Sequence, residues 1–399
     1  MIYKHDKLTK SLRSEIDSYF NNNPSVCYKI WFKKKASGGR RQISEPELIL
    51  KNIQKKIHSL FKEIELHKRF SKSCAGFMPN KSIGDNALVH SNYIFKSQKD
   101  ISPFHNTIIS KVYGKDAFFI GARVKLSEAR ALGMDLSDAF GSISKKMIKE
   151  GLREITSFSQ EDIERIAKTC TLDGVLPQGA STSPDLQNVA LNMFDNYLRA
   201  SLHANITVKL KTNFHYSRFA DDILISINKE GIIHKFIPIV ESVAEYYDLQ
   251  INRKKTKIMS LKHGIFVTGI NIINSSTHLC VSRNYRNQVR SLIHKTAILE
   301  DKDSKKRLKN TQRIKGKILH VMSVDKAHGI KLFKYAVDRG ILDGGEVINK
   351  TSLKEGIRFQ KEVSEKRKKL YTNYKYDNKN NDNQYEHSLE QDSDGLWVL

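Results

Sequence analysis

The chain has 399 residues and a net charge of +25, with 39% hydrophobic and 28% charged residues. No apolar run approaches the ~20 residues that cross a bilayer, and Met1 to Asp6 carry charge without an apolar stretch, so neither a membrane span nor a secretory leader is expected. A positive excess of this size attracts polyanions, nucleic acid first and anionic membrane second.

The elements follow in chain order. Apolar positions Leu8, Leu12, Ile16 and Phe20 have helical spacing, which predicts a helix within residues 1 to 25. Tyr28 to Lys35 alternates as a strand, Gly38 and Gly39 turn the chain, and Arg40 to Ser44 returns, giving a basic β-hairpin. Pro46 opens a helix whose apolar face is Leu48, Ile49, Ile53, Ile57 and Leu60. Residues 91–130 read as an insertion. Ala131 to Phe140 is a buried strand running into a turn, and Ile143 to Ile155 is a helix.

Asp185 to Leu202 reads as one further helix, with Leu186, Val189, Ala190, Met193 and Leu198 inward. Phe214 to Ile227 is two strands around a tight turn, Ile232 to Tyr247 a helix and Phe266 to Ile272 a strand. Residues 283–343 are helical and basic. From about 345 the chain is charged, 371–391 has the composition of a disordered segment, and Leu396 to Leu399 is apolar again. Cys27, Cys74, Cys170 and Cys280 lie far apart with no Cys-x-x-Cys, which excludes zinc-ribbon and thioredoxin-like motifs and reads as thiols in a reducing cytosol.

Chemistry concentrates in three segments. Asp221 and Asp222 lie between apolar β-formers, so the pair sits at the tip of a buried hairpin. Repelling carboxylates near low dielectric are costly, and a bound cation removes that cost. Mg²⁺ suits one or two carboxylates plus phosphate oxygens. Upstream, Asp135 ends another apolar strand. Two metals about 3.5–4 Å apart on such carboxylates can activate a 3′-hydroxyl and stabilise a pyrophosphate leaving group. Between them lies Leu176 to Pro184, a small-residue loop that lets backbone and a base approach closely. It is equally a helix-capping loop, with Thr182 or Ser183 as N-cap and Pro184 at the first helical position.

Six motifs in order, Gly39-Arg-Arg-x-Ile43, Gly76-Phe-x-x-x-x-Ser-Ile83, Asp135-x-x-x-x-Phe140, Pro177-Gln-Gly-x-x-x-Ser-Pro184, Phe219-Ala-Asp-Asp222 and Asn252-x-x-Lys-Thr-Lys257, resemble those of bacterial reverse transcriptases. The resemblance runs from about Lys29 to Asn271, with a looser match to about 343. It implies an α+β right-hand polymerase: N-terminal helix and fingers in 1–130, palm in 131–282, a helical thumb in 283–345 and a tail in 346–399. It implies Asp135, Asp221, Asp222 and the Leu136 carbonyl as ligands of two Mg²⁺ ions, with Mn²⁺ able to substitute.

It further implies that Arg41 grips the incoming triphosphate, that Gln178 lies near nucleotide and template, and that Phe140 acts as a steric gate against the 2′-hydroxyl. Phe140 as plain core is the other reading. Lys255 matches the lysine near the leaving pyrophosphate, with Lys254 and Lys257 close by and a solvated basic face as the alternative. Asp85 to His90 and Val267-Thr-Gly269 resemble segments of retron and other antiphage-defence reverse transcriptases. His90 there is either an RNA contact or a helix-packing histidine. RNA contacts are assigned to Arg40, Asn86, His90, Arg286, Arg290 and Arg313. The implied partners are a structured non-coding RNA as template and scaffold, dNTPs, the cDNA product and an effector protein encoded nearby, in the cytoplasm of a bacterium. The alternatives are a template-independent or protein-primed polymerase, with tail tyrosines (Tyr371, Tyr374, Tyr376, Tyr385) as primers, and a non-catalytic RNA-binding protein, against which the three intact aspartates stand.

Overall fold

A computed structural model describes residues 6–23, 25–34, 38–79, 81–96, 128–229, 231–273, 279–299, 304–342, 390–391 and 397–398. Residues 97–127, most of the insertion expected at 91–130, and most of the tail, with its four tyrosines, lie outside them. The chain forms two units, Met1–Arg283 and Asn284–Leu399.

The first unit is built on a four-stranded antiparallel sheet in the order β4-β5-β3-β6, with β3 at Arg130–Asp135, β4 at Phe214–Phe219, β5 at Asp222–Ile227 and β6 at Lys257–Ser260. The period of two assigns its faces. Leu132, Met134, Tyr216, Ile223, Ile225 and Ile227 point into the main core. There the sheet is backed by helices, among them α4 (Lys145–Ile155), α6 (Ser183–Ala190), α7 (Asn192–Leu202) and α8 (Phe236–Tyr246). Ser217 and Ser226 point the other way, to α3 (Ile83–Lys96), whose His90 meets both.

α1 (Lys10–Asn22) starts at Thr9, whose hydroxyl accepts from the Leu12 N–H at 3.1 Å. It is pinned by Arg13, which donates to both oxygens of buried Asp162 on α5 (Gln160–Cys170) at 2.8 and 2.7 Å. The basic hairpin is β1 (Tyr28–Lys34) with β2 (Arg40–Pro46), followed by α2 (Leu48–Glu63).

Several expectations need correction. Pro46 does not open α2: it ends β2, paired with Tyr28, and Glu47 is the N-cap of the helix. The helix expected over Asp185 to Leu202 is two, broken at Leu191 (φ −88°, ψ 3°), and the break turns Met193 outward. Leu48 and Ile49 are 73% and 66% exposed, because the buried face of α2 runs through Leu50, Ile53, Gln54, Ile57 and Phe61 and leaves them off it. Phe266 to Ile272 is a hairpin, β7 (Ile265–Val267) and β8 (Ile270–Ile272), because Thr268 and Gly269 take φ of +48° and +90° and reverse the chain. With β9 (Leu279–Val281) it makes a three-stranded sheet. Ile232 to Tyr247 begins as a 3₁₀ turn before α8.

The second unit holds α9 (Arg283–Ala297), α10 (Ser304–Val324) and α11 (Lys326–Asp338). Val289, Ile293, Ile314, Ile318, Val321, Leu332 and Phe333 are among its buried apolar residues. Asp325 caps α11, accepting from the His328 N–H at 3.0 Å. In the tail, β10 (Glu390–Gln391) pairs antiparallel with β11 (Trp397–Val398).

Candidate active site

β3 delivers Asp135 at its last position and β5 delivers Asp222 at its first, and the register sets them directly opposite each other. Asp221 is the second residue of the two-residue turn between β4 and β5. The Leu136 N–H donates to the Asp221 carbonyl at 3.0 Å, which ties the turn to the end of β3. On the other flank the Asn252 N–H donates to the Asp135 carbonyl at 2.8 Å. The 3₁₀ turn Arg253–Lys255 follows.

That turn aims Lys255 inward. Its ammonium donates to both carboxylate oxygens of Asp135, at 2.9 and 3.0 Å. Of the three nearby lysines, Lys255 is the one that reaches the aspartates, and the bond to Asp135 raises its pKa. Burial, then repulsion from Asp221 and Asp135, pushes the Asp222 carboxyl up to about 6, although the residue still reaches solvent. Burial and Asp135 also raise Asp221, while Lys255 and Arg41 pull it down.

Among the described residues no group of three or more His, Cys, Asp or Glu is arranged to hold a metal ion. In type, however, the three carboxylates fit a divalent ion. They are hard oxygen donors on adjoining backbone, and two of them are held in a protonation-prone state that a cation relieves.

The other candidates fall in different places. Arg41 is exposed on β2 directly opposite Lys33, a base that sequence reasoning passed over, and its charge is felt at Asp221. The Gln178 carbonyl accepts from the Ser44 N–H of β2 at 2.8 Å. A Cβ on Gly179 (φ +136°) would stand 2.8 Å from the Ser44 carbonyl oxygen, so the close approach of loop and hairpin requires glycine there. Phe140 is half-buried against the core in the turn after Asp135. Arg40 is exposed opposite Lys34.

His90 is not on the surface. It is fully buried, with Nδ1 2.8 Å from Ser226 Oγ and Nε2 2.7 Å from Ser217 Oγ, so the packing reading describes it and the RNA-contact reading does not. Asn86, one turn earlier, is also buried. In the second unit Arg290 and Arg313 are exposed and Arg286 is half-buried. Sequence reasoning also missed Arg218 and Asp195, a fully buried ion pair at 2.7 Å beside the aspartate turn. The available signal was that Arg218 falls in register with the core-facing Tyr216.

The profile of the family described as "Reverse transcriptase (RNA-dependent DNA polymerase)" matches residues 32–272. The chain belongs to the reverse transcriptase family. It is 28% identical over 309 residues to the retron Ec73 reverse transcriptase of Escherichia coli, covering 75% of this chain and 84% of that one. It is 24% identical over 286 residues to the retron Ec83 reverse transcriptase of the same organism, covering 70% and 79%. Among solved structures it resembles a telomerase from Candida albicans in complex with a TWJ fragment of telomeric RNA (13% identity, TM-score 0.37, 82% of this chain and 62% of that one). Apo telomerase from Candida tropicalis is similar too (11%, TM-score 0.42, 83% and 61%). The chain thus spans about three fifths of those telomerase chains. The reverse transcriptase has the α+β right-hand fold that its motifs imply and is an RNA-directed DNA polymerase. Its family generally uses divalent metal ions. No helix among the described residues is long and apolar enough to cross a membrane.

Proposed function

We propose that this reverse transcriptase copies a structured non-coding RNA, bound as template and scaffold, into cDNA at Asp135, Asp221 and Asp222, and that it serves antiphage defence in the bacterial cytoplasm with an effector protein. The observation that carries the site assignment is the register of β3 and β5, with Asp135 and Asp222 opposite each other and Asp221 beside them. Two divalent ions, Mg²⁺ or Mn²⁺, would be held by these carboxylates and the Leu136 carbonyl, and when bound they neutralise phosphate charge and acidify a 3′-hydroxyl.

The remaining work belongs to the chain. Lys255, whose ammonium donates to both carboxylate oxygens of Asp135, would turn to the departing pyrophosphate. Arg41 and Lys33, side by side on one face of the hairpin, take the triphosphate, the guanidinium through paired donors. Gln178, tied by its carbonyl to β2, sits between hairpin and templating base. Phe140 stacks under the sugar and excludes a 2′-hydroxyl. Exposed Arg290 and Arg313 contribute charge for duplex phosphates. The RNA partner is supported by the retron relatives, and the defence role by the resemblance of Asp85 to His90 and Val267 to Gly269 to segments of antiphage-defence reverse transcriptases.

The test is to purify the enzyme from its host, sequence the RNA and DNA that accompany it, and add Mg²⁺ and dNTPs. One abundant structured RNA, with cDNA complementary to part of it that lengthens on incubation, is expected. DNA that matches no accompanying RNA would contradict the proposal.

A further inference from the structure

We infer that the buried Arg218–Asp195 ion pair, latched by Asn188, positions the Asp221–Asp222 turn, which makes Arg218 and Asp195 positioning residues for polymerisation; this rests on the aspartate assignment above.

The turn is under constraint. Ala220, its first residue, has φ of +58°, a region that residues with a Cβ rarely occupy. Such a conformation persists only where the surroundings enforce it. Two contacts enforce it here. Arg218 Nη1 donates to the Ala220 carbonyl at 2.9 Å. On the amide side Gly76 lies so close that a Cβ on it would stand 2.3 Å from the Ala220 nitrogen.

Both contacts trace back to one polar cluster. Arg218 Nε and Nη2 donate to the two oxygens of Asp195 at 2.9 and 2.7 Å, and neither side chain is exposed. The Tyr216 hydroxyl donates to the same carboxylate at 2.6 Å. Asn188 accepts from Arg218 Nη1 at 3.2 Å and donates to the Gly76 carbonyl at 2.9 Å, which couples the two grips. The segment that carries Gly76 is itself bound to β4. The Arg218 N–H donates to the Ser73 carbonyl at 2.8 Å, and the Ala75 N–H to the Arg218 carbonyl at 2.8 Å.

Stability alone is a poor reason for such a pair. Replacing a buried ion pair with apolar residues of similar volume is often neutral or stabilising. What apolar residues cannot supply is a directed donor on the Ala220 carbonyl. A turn left free to drift by an ångström would misplace Asp221 and Asp222, and a displacement of that size can cost about 100-fold in rate.

The experiment uses the full chain with its accompanying RNA. It compares wild type, Asp221→Asn, the double variant Asp195→Leu/Arg218→Met, and Arg218→Lys. The readouts are soluble folded fraction, kcat and KM for dNTP, and Mn²⁺ affinity of the protein without nucleotide, followed by the signal of free Mn²⁺. We expect the double variant to fold, to keep KM for dNTP within about twofold, to lose about 100-fold in kcat, to bind Mn²⁺ more weakly, and to regain rate at high Mn²⁺. If it does not fold, Arg218→Lys decides, since it keeps the buried charge without the fork that spans Asp195 and Ala220 together. Wild-type kcat and Mn²⁺ affinity in either variant would overturn the inference. So would a kcat that falls only in proportion to the folded fraction, with Mn²⁺ affinity unmoved, since that marks a merely structural role. Synthesis retained by Asp221→Asn would instead overturn the aspartate assignment, which is how the two failures are told apart.

Discussion

The Lys255 ammonium lies 2.9 and 3.0 Å from the two carboxylate oxygens of Asp135. A cation therefore already occupies the aspartate that β3 supplies, and a divalent ion has to compete with it. The Lys255 side chain is 60% exposed, so the pair is screened and worth about 1 kcal/mol at most. Lys255→Met should tighten Mn²⁺ binding to the nucleotide-free protein by up to about fivefold while slowing synthesis. Weaker Mn²⁺ binding in the variant would contradict this.

Asp222 makes ion binding sensitive to pH. Its carboxyl is raised from 3.8 to about 6, so the folded chain keeps a proton that the unfolded chain has lost. Stability from this group is full below 3.8 and is lost as pH rises through about 6. A divalent ion needs the ionised form, so its binding expels that proton. Mn²⁺ affinity should rise by up to about tenfold per pH unit below 6 and level off above it, and Asp222→Asn should flatten the profile. Equal affinity at about pH 5 and about pH 7.5 would count against the arrangement.

His90 acts in the opposite direction. Burial first, and His215 with its ring 4.6 Å away second, hold its pKa well below 6.5. Among the described residues Tyr93 also packs on that pair, its ring 5.8 Å from His215. The neutral imidazole stabilises the fold fully above 6.5, and this contribution is lost as pH falls below 6.5 toward the depressed value. His90→Leu strands two serine hydroxyls and should cost about 2–4 kcal/mol at neutral pH, with a flatter acid limb. Urea unfolding at several pH values reads both effects, and an unchanged acid limb would exclude His90 as its source.

Phe140 stands in the turn just past Asp135, half-buried on the core. Phe140→Ala should raise incorporation of rNTP relative to dNTP by about tenfold or more, since specificity resting on exclusion is lost with the excluding group. Steady-state single-nucleotide incorporation measures it. Unchanged discrimination would return Phe140 to the core.

What could be read in the sequence follows from what is local. The strands bearing Asp135 and the Asp221–Asp222 pair declare themselves by apolar neighbours, and the basic hairpin by alternation and two glycines. The long-range polar partners were hidden. Arg218 is one of 68 bases in the sequence, and its partner Asp195 sits 23 residues earlier on another element, so nothing local marks them as a pair. The break at Leu191 has no glycine or proline to announce it, and the helical spacing runs through it. His90 reads as a polar helix residue until the two serines on separate strands are brought to it. The contact of Gly179 with Ser44 is likewise a matter of tertiary approach.

The most direct test of the aspartate assignment is primer extension on an RNA template by wild type and Asp221→Asn, side by side, with RNA binding measured on the same preparations. The account predicts loss of synthesis by about 1,000-fold or more, with RNA binding close to wild type. Synthesis within about tenfold of wild type, at equal RNA binding, would contradict it.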